Sequence, residues 1–301
     1  MLQTIACFFV IIITSCSGKN VRTDIDTANS GLIHISVDES FKPIIDSQIQ
    51  VFEATFPKAK IMVEYKPEAE CLRDLIKDST RMIIVTRGLL REEEAFYKDS
   101  IKFVPRWDKV ANDAIALIVN NKSTDTTITM AKLRGLLEGN TGDKEKIVFD
   151  GLSATSTVRF VKDSILKGKE FSTKNVFAAK SSQEVIDYIA ANNGAIGLVG
   201  VSWIGNKEDT AQLSFLKKVK IVAVECVACD GTPYIKPYQA NIVTKRYPLV
   251  RGLYYIVKEN YDGLGGGFAD WLTYEKGQLI FWRGYLGPTK MKLTVRDATL
   301  N

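Results

Sequence analysis

The chain has 301 residues, 46% of them hydrophobic and 25% charged, which is ordinary globular material long enough for two domains. Its formal net charge of +5 is mild and its Lys and Arg are interspersed with acids, so nucleic-acid binding is not indicated. Neither a low-complexity tract nor an internal repeat is visible.

Residues 5–13 form an almost unbroken apolar run, too short to span a bilayer but suited to the core of a signal peptide. The run ends Ile13-Thr14-Ser15-Cys16, which resembles a bacterial lipobox, small residues before a cysteine that is acylated. The expectation is a signal peptide over 1–15, lipid on Cys16 and a polar tether over 16–30, although the start lacks the usual Lys or Arg. The competing reading is a buried N-terminal strand. Cys226-Val-Ala-Cys229 has the spacing of half a zinc site or a redox pair, but no second pair exists and His34 is the sole histidine. In an exported chain a local disulfide or free thiols are the better expectation, and no metal or cofactor is expected.

The body opens with a β-branched alternation over 32–37. A helix follows after Asp38-Glu39-Ser40-Phe41-Lys42-Pro43, with Pro43 in its first turn and Ile44, Ile45, Ile49 and Phe52 on one face. A strand over 61–65 leads through Lys66-Pro67-Glu68-Ala69-Glu70 into a helix bearing Cys71, Leu72, Leu75 and Ile76. An apolar strand over 82–85 ends in Thr86-Arg87-Gly88. This βαβαβ order predicts a parallel sheet with helices on both faces, where ligands collect at the carboxyl ends of strands; Ser40, Glu70 and Arg87 fall there. An acidic helix near 91–97, a buried strand over 113–119 and a helix over 129–137 come next.

The strand at 147–149 then enters Asp150-Gly151-Leu152-Ser153-Ala154-Thr155-Ser156-Thr157-Val158-Arg159-Phe160. Val158, Val161, Ile165 and Leu166 recur at helical spacing until Gly168, so the turn sits at a helix N-terminus, where backbone N–H groups lack intrahelical partners and the dipole is positive. Ser153, Thr155, Ser156 and Thr157 add hydroxyls and Arg159 a fixed cation one turn in, the ingredients of an oxyanion site. Taken alone, one hydroxyl as an N-cap among solvated turn residues explains the stretch equally well. A capping box at Ser181-Ser182-Gln183-Glu184 starts another helix closing at Gly194, strands are predicted over 195–199, 219–224 and 253–257, and two short helices near 268–274 and 278–282.

Several collinear segments resemble the phosphate-binding subunits of ABC importers, a branch of the type II periplasmic binding proteins. They are Ser40-Phe41-Lys42-Pro43, Val85-Thr86-Arg87, Asp113-Ala114-Ile115-Ala116-Leu117-Ile118-Val119-Asn120, the Ser/Thr turn of 153–157, Gly194-Ala195-Ile196-Gly197, Tyr247-Pro248-Leu249-Val250-Arg251 and Gly277-Gln278. The resemblance implies an α/β fold of two lobes, each a mostly parallel sheet flanked by helices. Lobe 1 would be discontinuous, over 31–112 and 246–301, lobe 2 would span 113–245, and two strands would cross near 111–113 and 244–248. It implies a phosphate held by Ser40, the backbone of Phe41 and the hydroxyls of Thr155, Ser156 and Thr157, with Ser153-Ala154-Thr155 as a competing register and Arg159 facing either ligand or solvent. Arg87 stands where the family has an aspartate that accepts the ligand's proton. Either Glu70 takes that role with Arg87 as the cation, or the two pair with each other. Asp38 and Glu39 could cap the first helix and repel an anion.

The implied function is a lipid-anchored extracytoplasmic, periplasmic solute-binding protein that passes inorganic phosphate or a related oxyanion to an ABC permease as a monomer, with the membrane as a further partner and no covalent chemistry. A sensing or adhesion module is the alternative, as is a secreted phosphatase or hydrolase using a hydroxyl of 153–157, against which stands the lack of an evident base. Trp203, Trp271, Trp282 and Tyr254-Tyr255 read as core rather than as a stacking platform, and Trp107 lies just before the expected hinge.

Overall fold

Which strand faces become core is decided by apolar alternation, and the helical stripes between the strands close over them. This is seen in a computed structural model that describes residues 26–140, 145–151, 155–172 and 174–291. The expected signal peptide, Cys16 and Ser153 lie outside the described residues.

In chain order the elements are β1 (Gly31–Asp38), α1 (Lys42–Thr55), β2 (Ala59–Lys66), α2 (Glu68–Asp74), β3 (Met82–Val85), α3 (Arg91–Ser100), β4 (Arg106–Asn120), β5 (Thr127–Ile128), α4 (Met130–Glu138) and β6 (Lys146–Phe149). There follow α5 (Ser156–Phe160), β7 (Val176–Ala178), α6 (Ser182–Ala191), β8 (Ala195–Gly200), α7 (Thr210–Lys218), β9 (Val219–Ile221) and β10 (Ala223–Glu225). The described chain closes with β11 (Tyr234–Ile235), α8 (Gln239–Val243), β12 (Val250–Val257), α9 (Leu264–Thr273), α10 (Glu275–Arg283) and β13 (Gly287–Pro288).

The main sheet runs β2-β1-β3-β12-β4-β8-β6-β7, with β9 and β13 also on β4. β1 pairs in parallel with β2 and β3 at one end, and β6 in parallel with β7 and β8 at the other. The two parallel groups are joined through β4, whose residues up to Ala114 pair with β12 and whose residues from Ile115 onward pair with β8. Beside this switch the Ile115 amide donates to the Leu249 carbonyl at 2.9 Å, so the chain passes between the halves twice at one place. The mixed α/β sheet flanked by helices is the type II periplasmic-binding-protein architecture expected from the sequence.

Local choices follow the residues. Pro43 sits in the first turn of α1, where its missing N–H costs nothing, and Ile44, Ile45, Ile49 and Phe52 are its buried stripe. Phe52 meets Phe268 edge-on at 5.1 Å and Trp271 at 5.6 Å, which fixes α1 against α9; each such side chain contributes roughly 1.5–3 kcal/mol by burial. Gly139 ends α4 at φ +70°, a conformation that suits glycine. The helix expected up to Gly168 is instead a short α5 continued by a π-helical turn over Val161–Ile165, where the Arg134 side chain donates to the Ile165 carbonyl. The strand expected over 219–224 is two, because Val222 breaks it: β9 joins β4, whereas β10 joins β5 and β11 in a separate small sheet. Cys226 and Cys229 form a disulfide beside it, and Cys71 is a buried free thiol. Within the stretch expected as a tether, Asp26 accepts from the Arg81 guanidinium at 2.7 and 2.9 Å and from the Leu264 amide at 2.9 Å. Trp203, Trp271 and Tyr255 are buried as expected, whereas Trp282 is exposed. No helix among the described residues is long and apolar enough to cross a membrane.

Candidate anion-binding site

Strands from both sheet halves and the N-terminus of α5 converge where the two halves meet. From the first half, β1 ends on Asp38, whose carboxylate accepts from the Ser40 amide at 3.0 Å and so caps the 3-10 turn Glu39–Phe41. That turn points the Ser40 hydroxyl, fully buried, across the junction. From the second half, β6 delivers Asp150 and the N-terminus of α5 delivers Ser156 and Thr157, with Thr155 as its N-cap. The Ser40 hydroxyl lies 3.4 Å from Asp150 Oδ2 and 3.5 Å from Ser156 Oγ.

The cation of this cluster comes from the crossing strands. Arg251 on β12 stands directly opposite Asp113 on β4, so the two side chains share a face and pair, Nε donating to Oδ2 at 2.8 Å. Arg251 Nη1 donates to Ser156 Oγ at 2.9 Å and Thr157 Oγ1 at 3.3 Å, and the guanidinium lies 5.1 Å from the Phe41 ring centre. Its Nη2, like Asp38 Oδ2 and Asp150 Oδ1, is buried without a hydrogen-bond partner among the described residues. Gly200 presses on this point: a β-carbon there would lie 3.0 Å from the Ser40 carbonyl oxygen and 3.1 Å from Arg251 Nη2.

Two further links tie the halves together at the margin. Glu68, at the start of α2, accepts from Thr86 at 2.8 Å (amide) and 2.5 Å (hydroxyl), and from Arg159 Nε at 2.6 Å. Glu39 accepts from the Ser182 hydroxyl at 2.7 Å and from its amide at the N-terminus of α6. Ser202 donates to the Ser40 carbonyl at 2.7 Å.

Carboxyl groups outnumber guanidiniums here, and the titration behaviour follows. Burial pushes Asp38 up to about 7, with Arg251 opposing, and burial likewise pushes Glu39 up to about 7. Asp113 and Asp150 are raised for the same reason. Burial acts on Glu68 in that direction too, but its hydrogen bond and ion pair with Arg159 outweigh it and hold it low. The cluster therefore sets hydroxyl and guanidinium donors beside carboxyl groups that donate a hydrogen bond when protonated and accept one from a protonated ligand when ionised, a set able to hold an oxyanion.

Of the residues singled out in the sequence, Ser40, Phe41, Thr155, Ser156 and Thr157 come together here, and Arg159 lies at the margin on Glu68. Arg87 and Glu70 are elsewhere and do not pair with each other. Arg87 pairs with Glu93 through two 2.7 Å bonds, and Glu70 lies 3.8 Å from Arg73 on the outer side of α2. The reason is periodicity: Thr86 and Glu68 take the inward positions, so the next residue after the strand and the second residue along the helix turn away.

A family model described as the PBP superfamily domain matches residues 22–276. The chain belongs to that superfamily. No curated protein sequence matches it. Solved structures similar to this PBP superfamily chain include a putative phosphate ABC transporter substrate-binding protein with bound phosphate from Clostridium perfringens. That likeness has a TM-score of 0.71 at 19% identity and covers 86% of this chain and 100% of the other. An ABC-type phosphate transport receptor from Vibrio cholerae matches with TM-score 0.62 at 17% identity, over 86% and 100% of the two chains. PstS from Borrelia burgdorferi gives 0.52 at 20%, over 86% and 99%. At these identities the likeness is one of fold.

Sequence reasoning passed over Arg251, Asp113, Asp150, Glu68 and Thr86 as site residues of this superfamily member. A signal for the first two was present: each is a charge inside an otherwise apolar strand run, Val250-Arg251-Gly252-Leu253 and Asp113-Ala114-Ile115, and opposite charges in two buried strands need each other.

Proposed function

We propose that this chain is an extracytoplasmic solute receptor that captures inorganic phosphate, or a related protonated oxyanion, between two lobes and presents it to the permease of an ABC importer. The lobes are 31–112 with 246–301, and 113–245, and closure brings Ser40 of one onto Ser156 and Thr157 of the other. The observation that carries the reading is Arg251: a buried guanidinium aimed at two hydroxyls on a helix N-terminus, with Nη2 lacking a hydrogen-bond partner among the described residues. The fold relatives that are phosphate receptors of ABC systems support the same reading. Asp38 and Asp150 would accept the ligand's proton, which favours phosphate over sulfate. Lipid on Cys16 would hold the chain at a bacterial membrane as a monomer. Binding, without bond making or breaking, is all this role requires.

Isothermal titration of the ligand-free full chain with phosphate, arsenate and sulfate tests the reading. Saturable phosphate binding that weakens in Ser156→Ala, with sulfate bound much less tightly, is the expected result. Absence of phosphate binding by folded protein would overturn it, as would binding indifferent to Ser156→Ala.

A further inference from the structure

A second cavity lies on the far side of the 3-10 turn Val201–Trp203, separate from the anion cluster. It measures about 470 Å³, within the range of about 300–1,000 Å³ typical of small-molecule pockets. Val201, Ile204, Leu216 and Ile221 form its apolar interior, and the chain entering α8 closes one side with Pro237 and Tyr238. Every ionic group lining it is a lysine: Lys207, Lys220 and Lys236. Among the described residues no acid lines the cavity. Lys207 leans over the Tyr238 ring at 5.6 Å at the margin of the cavity, whereas the Lys220 ammonium donates to the Ser123 carbonyl at 3.2 Å, outside the lining residues.

We propose that this cavity binds a small amphiphilic organic anion, a single acyl or aryl chain ending in a carboxylate or similar group. The chain fills the apolar interior and the head group sits beside Lys207 and Lys236. The chemistry selects the class: apolar walls favour a hydrocarbon by the area removed from water, and cations without an acid among the lining residues favour one negative end over a neutral or positive one. A hydrated inorganic anion would leave the walls uncovered, and an alkylammonium would meet like charges. The proposal does not rest on the phosphate reading, because Ser40, Ser156 and Arg251 are not among the lining residues.

The test titrates the full chain with decanoate, decanol and decyltrimethylammonium, and with phosphatidylglycerol vesicles. The expected result is saturable 1:1 binding of decanoate, at least tenfold weaker binding of the other two single-chain probes, and a loss of at least tenfold for decanoate in Lys236→Glu. Lys236 is half-buried, and a circular dichroism spectrum matching the parent chain checks that the variant folds. Lys207→Ala gives a second, milder readout in the same direction. No saturable decanoate binding, equal binding of the cationic probe, or indifference to both lysine variants would overturn the proposal. Binding to vesicles without binding of free decanoate would also overturn it, by assigning the lysines to a membrane surface.

Discussion

The two halves of the sheet reach their junction with opposite chemistry. The first brings acceptors, the carboxylates of Asp38, Glu39 and Glu68 at the ends of β1 and the start of α2; the second brings donors, Ser156, Thr157, Arg159 and Ser182, all on helix N-termini or first turns. Only Ser40 and Asp150 reverse this division, and they face each other. Arg251 and Asp113 belong to the crossing strands and stand between the two sets. The difference teaches that closure here is a matching of charge and hydrogen-bond sense across a seam. The buried strand pair at its centre holds that seam in register.

The strongest way to break the arrangement is Arg251→Met. It leaves Asp113 buried without its ion-pair partner, and unfolding by urea should show a loss of roughly 3–5 kcal/mol, much of it recovered in the double variant with Asp113→Asn. Equal losses in single and double variants would show that the pair is not the cause.

A second intervention acts on the acceptor side alone. Asp38 titrates at about 7 in the folded chain against an ordinary 3.8, and Glu39 at about 7 against 4.5. Between those values the unfolded chain has released protons that the folded chain keeps, so these two groups make stability fall as pH rises from about 4 to 7. Asp38→Asn should flatten that fall, measured as unfolding free energy across the same window. An unchanged slope would place the titration elsewhere.

On the donor side, Ser156→Ala removes one hydroxyl facing the guanidinium. Loss of a hydrogen bond to a charged group, about 1.5–3 kcal/mol, predicts phosphate affinity reduced roughly 10- to 100-fold by calorimetry. The smallest effect is expected away from the seam: Lys42 and Asp46 form an exposed i,i+4 pair at 2.9 Å, and Lys42→Ala should shift stability by about 0.5 kcal/mol or less. A shift as large as that of Arg251→Met would erase the distinction between seam and surface.

Much of this was legible residue by residue. The apolar alternation of β1, the wholly apolar β3, Pro43 at the start of α1 and the Ser/Thr turn before α5 are local signals, and each element began where its pattern placed it, because period and capping act over a few residues. The Cys226–Cys229 spacing left a local disulfide or free thiols as the expectation, and the structure has the disulfide. Long-range pairing was less legible. Nothing local distinguishes Glu68 from Glu70 or Thr86 from Arg87; which of each faces the junction depends on where Pro67 starts the helix and where β3 ends. The partners of Arg251 likewise depend on the register between β12 and β4, strands that are far apart in sequence.

The sequence by itself determined the type and order of the elements and the hydroxyl-rich turn at a helix N-terminus, because these depend on contacts between near neighbours. Only the tertiary structure decided that β4 changes partners at Ala114–Ile115, that a guanidinium from a crossing strand enters the cluster, and that Arg159 is held by Glu68. These rest on side chains meeting across the sheet halves. Buried charges must find partners wherever the packing of the whole chain places them.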